Sequence, residues 1–140
     1  MKVIALLPIK NEAWVLEHTL ASLSAFCDVI VVSDQHSTDG SPEICRRFPK
    51  VVMLGSPPAG EPDLPKQARW RLLDAARSYD GTNLLWWTDA DELPAPRRAQ
   101  AFLQWSLRYC GEISAGRRRR HHARISSTGS RKMPFIMPTP

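Results

Sequence analysis

Apolar residues along this chain fall into four short runs, each followed by a stretch with helical spacing. Residues 2–7, closed by Pro8, form a run too short for a helix and read as a buried strand. Asn11 is placed to cap a helix in which Leu16, Leu20 and Leu23 recur at helical spacing through Ser24. Residues 28–33 carry Val29, Ile30, Val31 and Val32, and a continuous β-branched run suits a strand covered on both faces. Residues 34–40 are a polar loop. Ser41 then starts a short helix through Phe48, with Pro42 at its first position.

Val51–Leu54 is the third strand, and residues 55–63 are a Pro/Gly loop. Pro65 opens a longer helix with Ala68, Leu72, Ala75, Ala76 and Tyr79 on one face, ended by Gly81. Residues 83–88 make a fourth strand centred on two leucines and two tryptophans, with residues 89–91 directly after it. Pro94 and Pro96 begin a last helix whose apolar face is Ala99, Phe102, Leu103 and Leu107. This β-α alternation predicts an α/β fold: a mostly parallel, Rossmann-like sheet with helices on both faces. Ligands of such sheets bind outside the carboxyl ends of the strands. Three polar clusters fall at those ends, over residues 8–12, 34–39 and 89–92.

Composition narrows the partners. The 140 residues suffice for one domain, and 43% hydrophobic with 24% charged is ordinary for a soluble protein. The net charge of +5 suggests a polyanion partner until it is divided along the chain. Residues 1–110 carry −1 and residues 111–140 carry +6. The body, 1–110, is nearly neutral, which argues against nucleic acid. The segment 111–140 holds the Arg117–Arg120 run without periodicity or interleaved aromatics, and reads as a disordered basic tail. Cys27, Cys45 and Cys110 are odd in number and lack a CxxC spacing, which fits free thiols in a reducing, cytoplasmic setting. Lys10, Asn11 and Glu12 interrupt the apolar start too early for a secretory signal, and no run is long enough to span a membrane.

Asp89 and Asp91 point to the same side if their segment is extended. With diphosphate oxygens they suit Mg²⁺ or Mn²⁺, the alternative being a solvated turn. Glu92 either joins them or serves as an acidic charge at a helix start. Asp34 can accept a base N–H or close an Asx turn. His36 reads as a surface histidine. Residues 39–42 look like turn and cap chemistry. Lys66 and Arg69, three apart on one helix, can reach phosphate or ribose, or simply form a solvated face. The segment 8–12 can bring backbone close to a nucleotide, although Asn11 also reads as a plain N-cap.

Taken together, residues 3–12 (VIALLPIKNE), 29–41 (VIVVSDQHSTDGS), 66–69 (KQAR) and 84–92 (LLWWTDADE) resemble the nucleotide-sugar-binding half of a family-2 glycosyltransferase of the GT-A type. The resemblance covers about residues 1–108. It implies a glycosyltransferase that binds a nucleotide-diphosphate sugar, UDP-type favoured, and transfers the sugar with inversion. It also implies that Pro8, Ile9, Glu12 and Asp34 hold the nucleoside, Asp34 at the base and Glu12 at the ribose. Lys66 and Arg69 would lie along the nucleotide. Asp89 would contact ribose or metal, and Asp91 would coordinate the Mn²⁺ or Mg²⁺ that bridges the diphosphate.

One departure from the family stands out. An inverting transfer needs a general base, and Glu112 is the single acid after Glu92. The chain is therefore expected to bind donor without completing transfer, as a truncated or frame-shifted product with an incomplete sheet. An incomplete sheet would expose an edge strand through which chains could pair. A polyanion-binding remnant is the alternative. A nucleotidyltransferase ranks lower, because no glycine-rich loop follows the first strand.

Overall fold

The computed structural model describes residues 1–55 and 65–114, and within them four strands and four helices alternate. They are β1 (Val3–Ile9), α1 (Ala13–Ser24), β2 (Val29–Asp34), α2 (Ser41–Arg46), β3 (Val51–Leu54), α3 (Pro65–Arg77), β4 (Leu84–Trp87) and α4 (Pro96–Ser114). The strands form one sheet in the order β3-β2-β1-β4, with every pairing parallel. The α/β architecture expected from the alternation is the one observed.

The period-two alternation of each strand sorts its side chains between two cores. Ala5, Leu7, Ile9, Ile30, Val32, Leu84 and Trp86 face one layer with Leu16, Leu20 and Leu23 of α1, Cys45 of α2, and Ala99 and Leu103 of α4. Ile4, Leu6, Val31 and Leu85 face the other layer, where Leu72 and Ala76 of α3 cover them. The helices thus lie on both faces, three on one and α3 on the other. Trp86 anchors the larger layer through edge-on contacts with Phe26 at 5.1 Å and Phe102 at 6.3 Å. Cys27 and Cys45 are free and buried. Burial, helped by the charges of Asp28 and Asp34 respectively, pushes each thiol up to about 12, so both are inert.

Several boundaries differ from the sequence reading for physical reasons. Pro8 does not close β1, which continues to Ile9. The carbonyls of Lys2 and Leu6 accept from β4-side amides of Leu84 and Thr88, so even-numbered positions of β1 face β4. β4 ends at Trp87, paired with Leu6. The N–H that Pro8 lacks would therefore point past the end of the neighbouring strand, and no ladder bond is lost. Asn11 is not the N-cap of α1. Glu12 occupies that position, and Asn11 has a left-handed φ of 56°.

Helix α2 stops at Arg46 rather than Phe48, and α4 begins at Pro96 rather than Pro94. Helix α3 ends at Arg77, and Gly81, with φ 84°, makes the later turn toward β4. Helix α4 runs to Ser114, four residues into the segment expected as tail. The rest of that segment, 115–140, and residues 56–64, which take in all of the Pro/Gly loop but Gly55, lie outside the described residues. Among the described residues, no helix is long and apolar enough to cross a membrane.

Candidate functional site

The strand order reverses at β1: the chain steps outward to β2 and β3, then returns on the other side as β4. Helix α1 lies on one face and α3 on the other, so the winding changes face between β1 and β4. This is the switch point at which doubly wound sheets take ligands. Ile9 pairs with Asp34, and Thr88 N–H reaches the Leu6 carbonyl at 3.3 Å, so the three polar clusters converge on one edge of the sheet.

Two of those clusters are bonded to each other. Asn11 N–H donates to Ser37 Oγ at 2.9 Å, Glu12 N–H to Ser41 Oγ at 3.0 Å, and Ala13 N–H to Asp39 Oδ2 at 2.9 Å. In return Thr38 N–H donates to Asn11 Oδ1 at 2.7 Å. Helix α1 is thus capped by side chains 26–29 residues away rather than by its own preceding residue. Asp39 also accepts from Ser41 N–H at 3.0 Å. The Ser41 side chain, more than the Ala13 and Ser41 amides, holds the Asp39 carboxyl below its ordinary value. Cap chemistry was legible in residues 39–42, but it serves α1 as well as α2.

Asp34 closes an Asx turn, its Oδ1 accepting from Ser37 N–H at 3.1 Å. Its other carboxylate oxygen has no hydrogen bond among the described residues. Ile9 cannot offer its side chain to a ligand, because strand alternation turns it into the core, 1% exposed. Its carbonyl accepts from Gln35 N–H at 2.9 Å, which ties β1 to the next loop. Pro8 is half-buried at the strand end, and the half-buried Glu12 keeps its carboxylate free of partners among the described residues. His36 is exposed, with φ 56°.

In the third cluster Ala90 is buried while Asp89 and Asp91 on either side of it are exposed. The fully buried Thr19 of α1 donates to the Ala90 carbonyl at 2.5 Å, and Ser22 of α1 donates to the Pro94 carbonyl. Helix α1 therefore holds this loop in place. Among the described residues, no hydrogen bond or ion pair engages the carboxylates of Asp89 or Asp91. Glu92 turns back toward Thr88 Oγ1 at 3.5 Å and Asp89 N–H at 3.4 Å. It is not in the first turn of α4, which contains no acid.

Lys66 and Arg69 are both exposed near the start of α3. The Arg69 guanidinium lies over the Trp87 ring at 5.4 Å, which brings it to the end of β4, two residues before Asp89. Sequence reasoning missed Thr19, Ser37 and Trp87 as organisers of this edge. Only strand-end placement could have flagged Trp87, and nothing periodic marks the other two. Among the described residues, no group of three His, Cys, Asp or Glu side chains is gathered as a ready metal cage. A metal here would take two carboxylates from the protein and the remaining oxygens from ligand and water, as Mg²⁺-type cations do.

The sequence matches the family described as glycosyl transferase family 2 over residues 5–137, beyond the 1–108 over which the resemblance was read. No curated protein matches. Among solved structures, TarS of S. aureus is similar at 24% identity and a TM-score of 0.54, over 74% of this chain and 32% of that one. Glucosyl-3-phosphoglycerate synthase from Mycobacterium tuberculosis, in complex with Mn²⁺, UDP and glucosyl-3-phosphoglycerate, is similar at 23% identity and 0.52, over 80% and 39%. The mannosyltransferase PcManGT from Pyrobaculum calidifontis, in complex with GDP-Man and Mn²⁺, is similar at 28% identity and 0.51, over 68% and 29%. The chain spans about a third of the length of these structures. The first two likenesses speak to the fold alone.

Proposed function

Because this chain belongs to glycosyl transferase family 2, we propose that it forms the donor-binding half of an enzyme that transfers a sugar from a nucleoside diphosphate with inversion. One observation carries the reading. Asp89 and Asp91 stand exposed at the switch point and without partners among the described residues, while the Glu12 and Ala13 amides at the start of α1 are already bonded to Ser41 and Asp39.

The electrostatics explain why that combination points to metal. Rossmann folds that bind a dinucleotide directly use a glycine-rich turn and a free helix N-terminus to hold the pyrophosphate. Residues 8–12 contain no glycine, and the Glu12 and Ala13 amides are bonded to Ser41 and Asp39. Two carboxylates alone would repel a diphosphate. A hard divalent cation reverses that repulsion, and paired carboxylates are the donors such cations prefer.

In this reading Asp91 holds Mn²⁺ or Mg²⁺, and Asp89 serves metal and ribose. The bound metal would offset negative charge on the departing nucleoside diphosphate. Arg69, steadied on Trp87, and Lys66 add positive charge at the same edge. The free oxygen of Asp34 accepts the N–H on the pairing edge of a uracil, with Glu12 toward the ribose and the Pro8 backbone lining the nucleoside. UDP is the favoured donor nucleotide. PcManGT was solved with GDP-Man, and guanine presents an equivalent N–H. We assign no acceptor-side base among the described residues. Buried free thiols at Cys27 and Cys45 are in keeping with a cytoplasmic location.

The test is calorimetric titration of the folded chain with UDP, with and without Mn²⁺. Binding should require the metal, and Asp91→Ala should weaken it about a hundredfold or more, the loss of a direct ligand. A folded sample that binds no UDP with Mn²⁺ present defeats the proposal.

A further inference from the structure

We propose that Asp39 and Ser37 are positioning residues that weld the loop after β1 to the loop after β2, giving a nucleoside cradle formed before any ligand arrives. The inference rests on the donor reading above and deepens it, by naming residues that touch no ligand yet set the geometry of those that do.

Both loops carry strained backbone. Each contains a non-glycine residue in the left-handed region, Asn11 and His36, both with φ 56°. That region is unfavourable for L-residues, though less so for Asn and His than for most. The cross-loop bonds stabilise it. Asn11 donates its backbone N–H to Ser37 Oγ, and its side-chain oxygen accepts from Thr38 N–H, so it is clasped from both sides. The Asp39 carboxylate accepts from Ala13 at the start of α1 and from Ser41 at the start of α2, fixing the two helix entries relative to one another. Ser41, 0% exposed, accepts from Glu12 N–H.

A continuous path follows. Asp34 holds Ser37, Ser37 holds Asn11, Ser41 holds Glu12, and Asp39 holds Ser41. Asp34, at one end of that path, and Glu12, joined into it next to Asn11, are the residues assigned to base and ribose. Their relative placement depends on residues that bond to one another across the two loops. Prior ordering of this kind removes the loss of freedom that binding would otherwise entail.

The test compares the full chain with Asp39→Ala, Ser37→Ala, Ser37→Thr and Asp28→Ala. Asp28 supplies the control, because its carboxylate accepts from Val3 N–H at 2.7 Å across 25 residues at the opposite edge of the sheet. Amide hydrogen exchange is followed without ligand, and affinities for UDP and for pyrophosphate are measured with Mn²⁺. In Asp39→Ala, exchange at Asn11, Glu12 and Ala13 should rise about tenfold or more while the strands keep their protection. UDP affinity should fall about tenfold, with pyrophosphate affinity unchanged. Ser37→Ala should do the same more weakly and decides the matter if Asp39→Ala fails to fold. Ser37→Thr, which keeps the hydroxyl, should restore both readouts. Asp28→Ala should lose thermal stability and keep its UDP affinity.

Unchanged exchange in both alanine variants overturns the weld. So does an equal loss of UDP and pyrophosphate binding, or a loss of UDP affinity in Asp28→Ala as large as in Asp39→Ala. Failure of the unaltered chain to bind UDP sinks the donor reading instead, and the exchange data then judge the weld by themselves.

Discussion

At the amino edge of the sheet, Asp28 accepts from Val3 N–H, Asn83 accepts from Lys2 N–H, and Lys50 donates to the Ser24 and Cys27 carbonyls where α1 ends. Lys2 also lies over the Tyr79 ring at 5.3 Å. At the carboxyl edge, Asp39, Ser37 and Ser41 tie backbone amides across the chain by the same chemistry. The two edges differ in what is left over. The amino edge engages most of its strand-end and helix-end polar groups with one another, and leaves the exposed Asp80 carboxylate and the buried Ser24 hydroxyl without partners among the described residues. The carboxyl edge keeps the carboxylates of Glu12, Asp89 and Asp91 and the Lys66 ammonium without partners among the described residues. Like charges held close cost stability unless something else offsets them. On the donor reading, the carboxyl edge differs by gathering several unpaired carboxylates at the switch point, whereas the unpaired groups of the amino edge are isolated among bonds that hold the sheet.

That contrast breaks if a bond beneath the carboxyl edge affects stability alone. Thr19 gives the sharpest case, because it is 0% exposed and its hydroxyl supports the Ala90 carbonyl between the two aspartates. Thr19→Val preserves shape and removes the donor. It should cost about 1–3 kcal/mol by urea denaturation, the penalty for a buried acceptor left unmatched. Metal-dependent UDP affinity should fall with it, since the loop carrying Asp89 and Asp91 loses its support. Full UDP affinity in a destabilised Thr19→Val would mean that the loop is held by other contacts.

Lys50→Ala probes the opposite edge and should have a smaller effect. Lys50 is exposed and caps the carboxyl end of α1 through bonds of 2.7 and 2.9 Å. Its removal should cost about 0.5–1 kcal/mol, as expected for a cation at a helix terminus. UDP binding should be untouched. A nucleotide effect here would erase the division between the two edges.

The sequence carried the sheet more legibly than its edges. The runs around Val29–Val32, Val51–Leu54 and Leu84–Trp87 were readable because strands of a parallel sheet are apolar on both faces, whatever their neighbours. Pro8 misled because a proline ends a ladder only on the side where a partner strand stands, and strand order is not written in a local pattern. Asn11 misled for a related reason. A short polar residue before a helix is the ordinary signal for a cap, but here the caps come from 26–29 residues away and free Asn11 for a left-handed turn. Asp89 and Asp91 could be singled out because they follow a buried strand directly. Thr19, which supports the loop between them, sits in α1 some 71 residues from Ala90, and no spacing rule connects the two.

The smallest expected effect is a pH dependence specific to the carboxyl edge. Hydrogen bonds from the Ser41 side chain, then the Ala13 and Ser41 amides, hold the Asp39 carboxyl below its ordinary value of 3.8. The folded chain therefore binds this proton less readily than the unfolded chain. The stabilisation is complete above the ordinary value and is lost as pH falls through the lower, folded one. Asp39→Asn removes the titrating group and keeps a single acceptor. The stability gap between the chain and this variant should be constant near neutrality and should shrink as the pH is lowered from about 5 to about 2, read by urea denaturation at each pH. A gap that keeps its size over that range would show that the weld does not depend on the charge of Asp39. The two edges would then differ only in their unpaired groups, not in the character of the bonds that hold them.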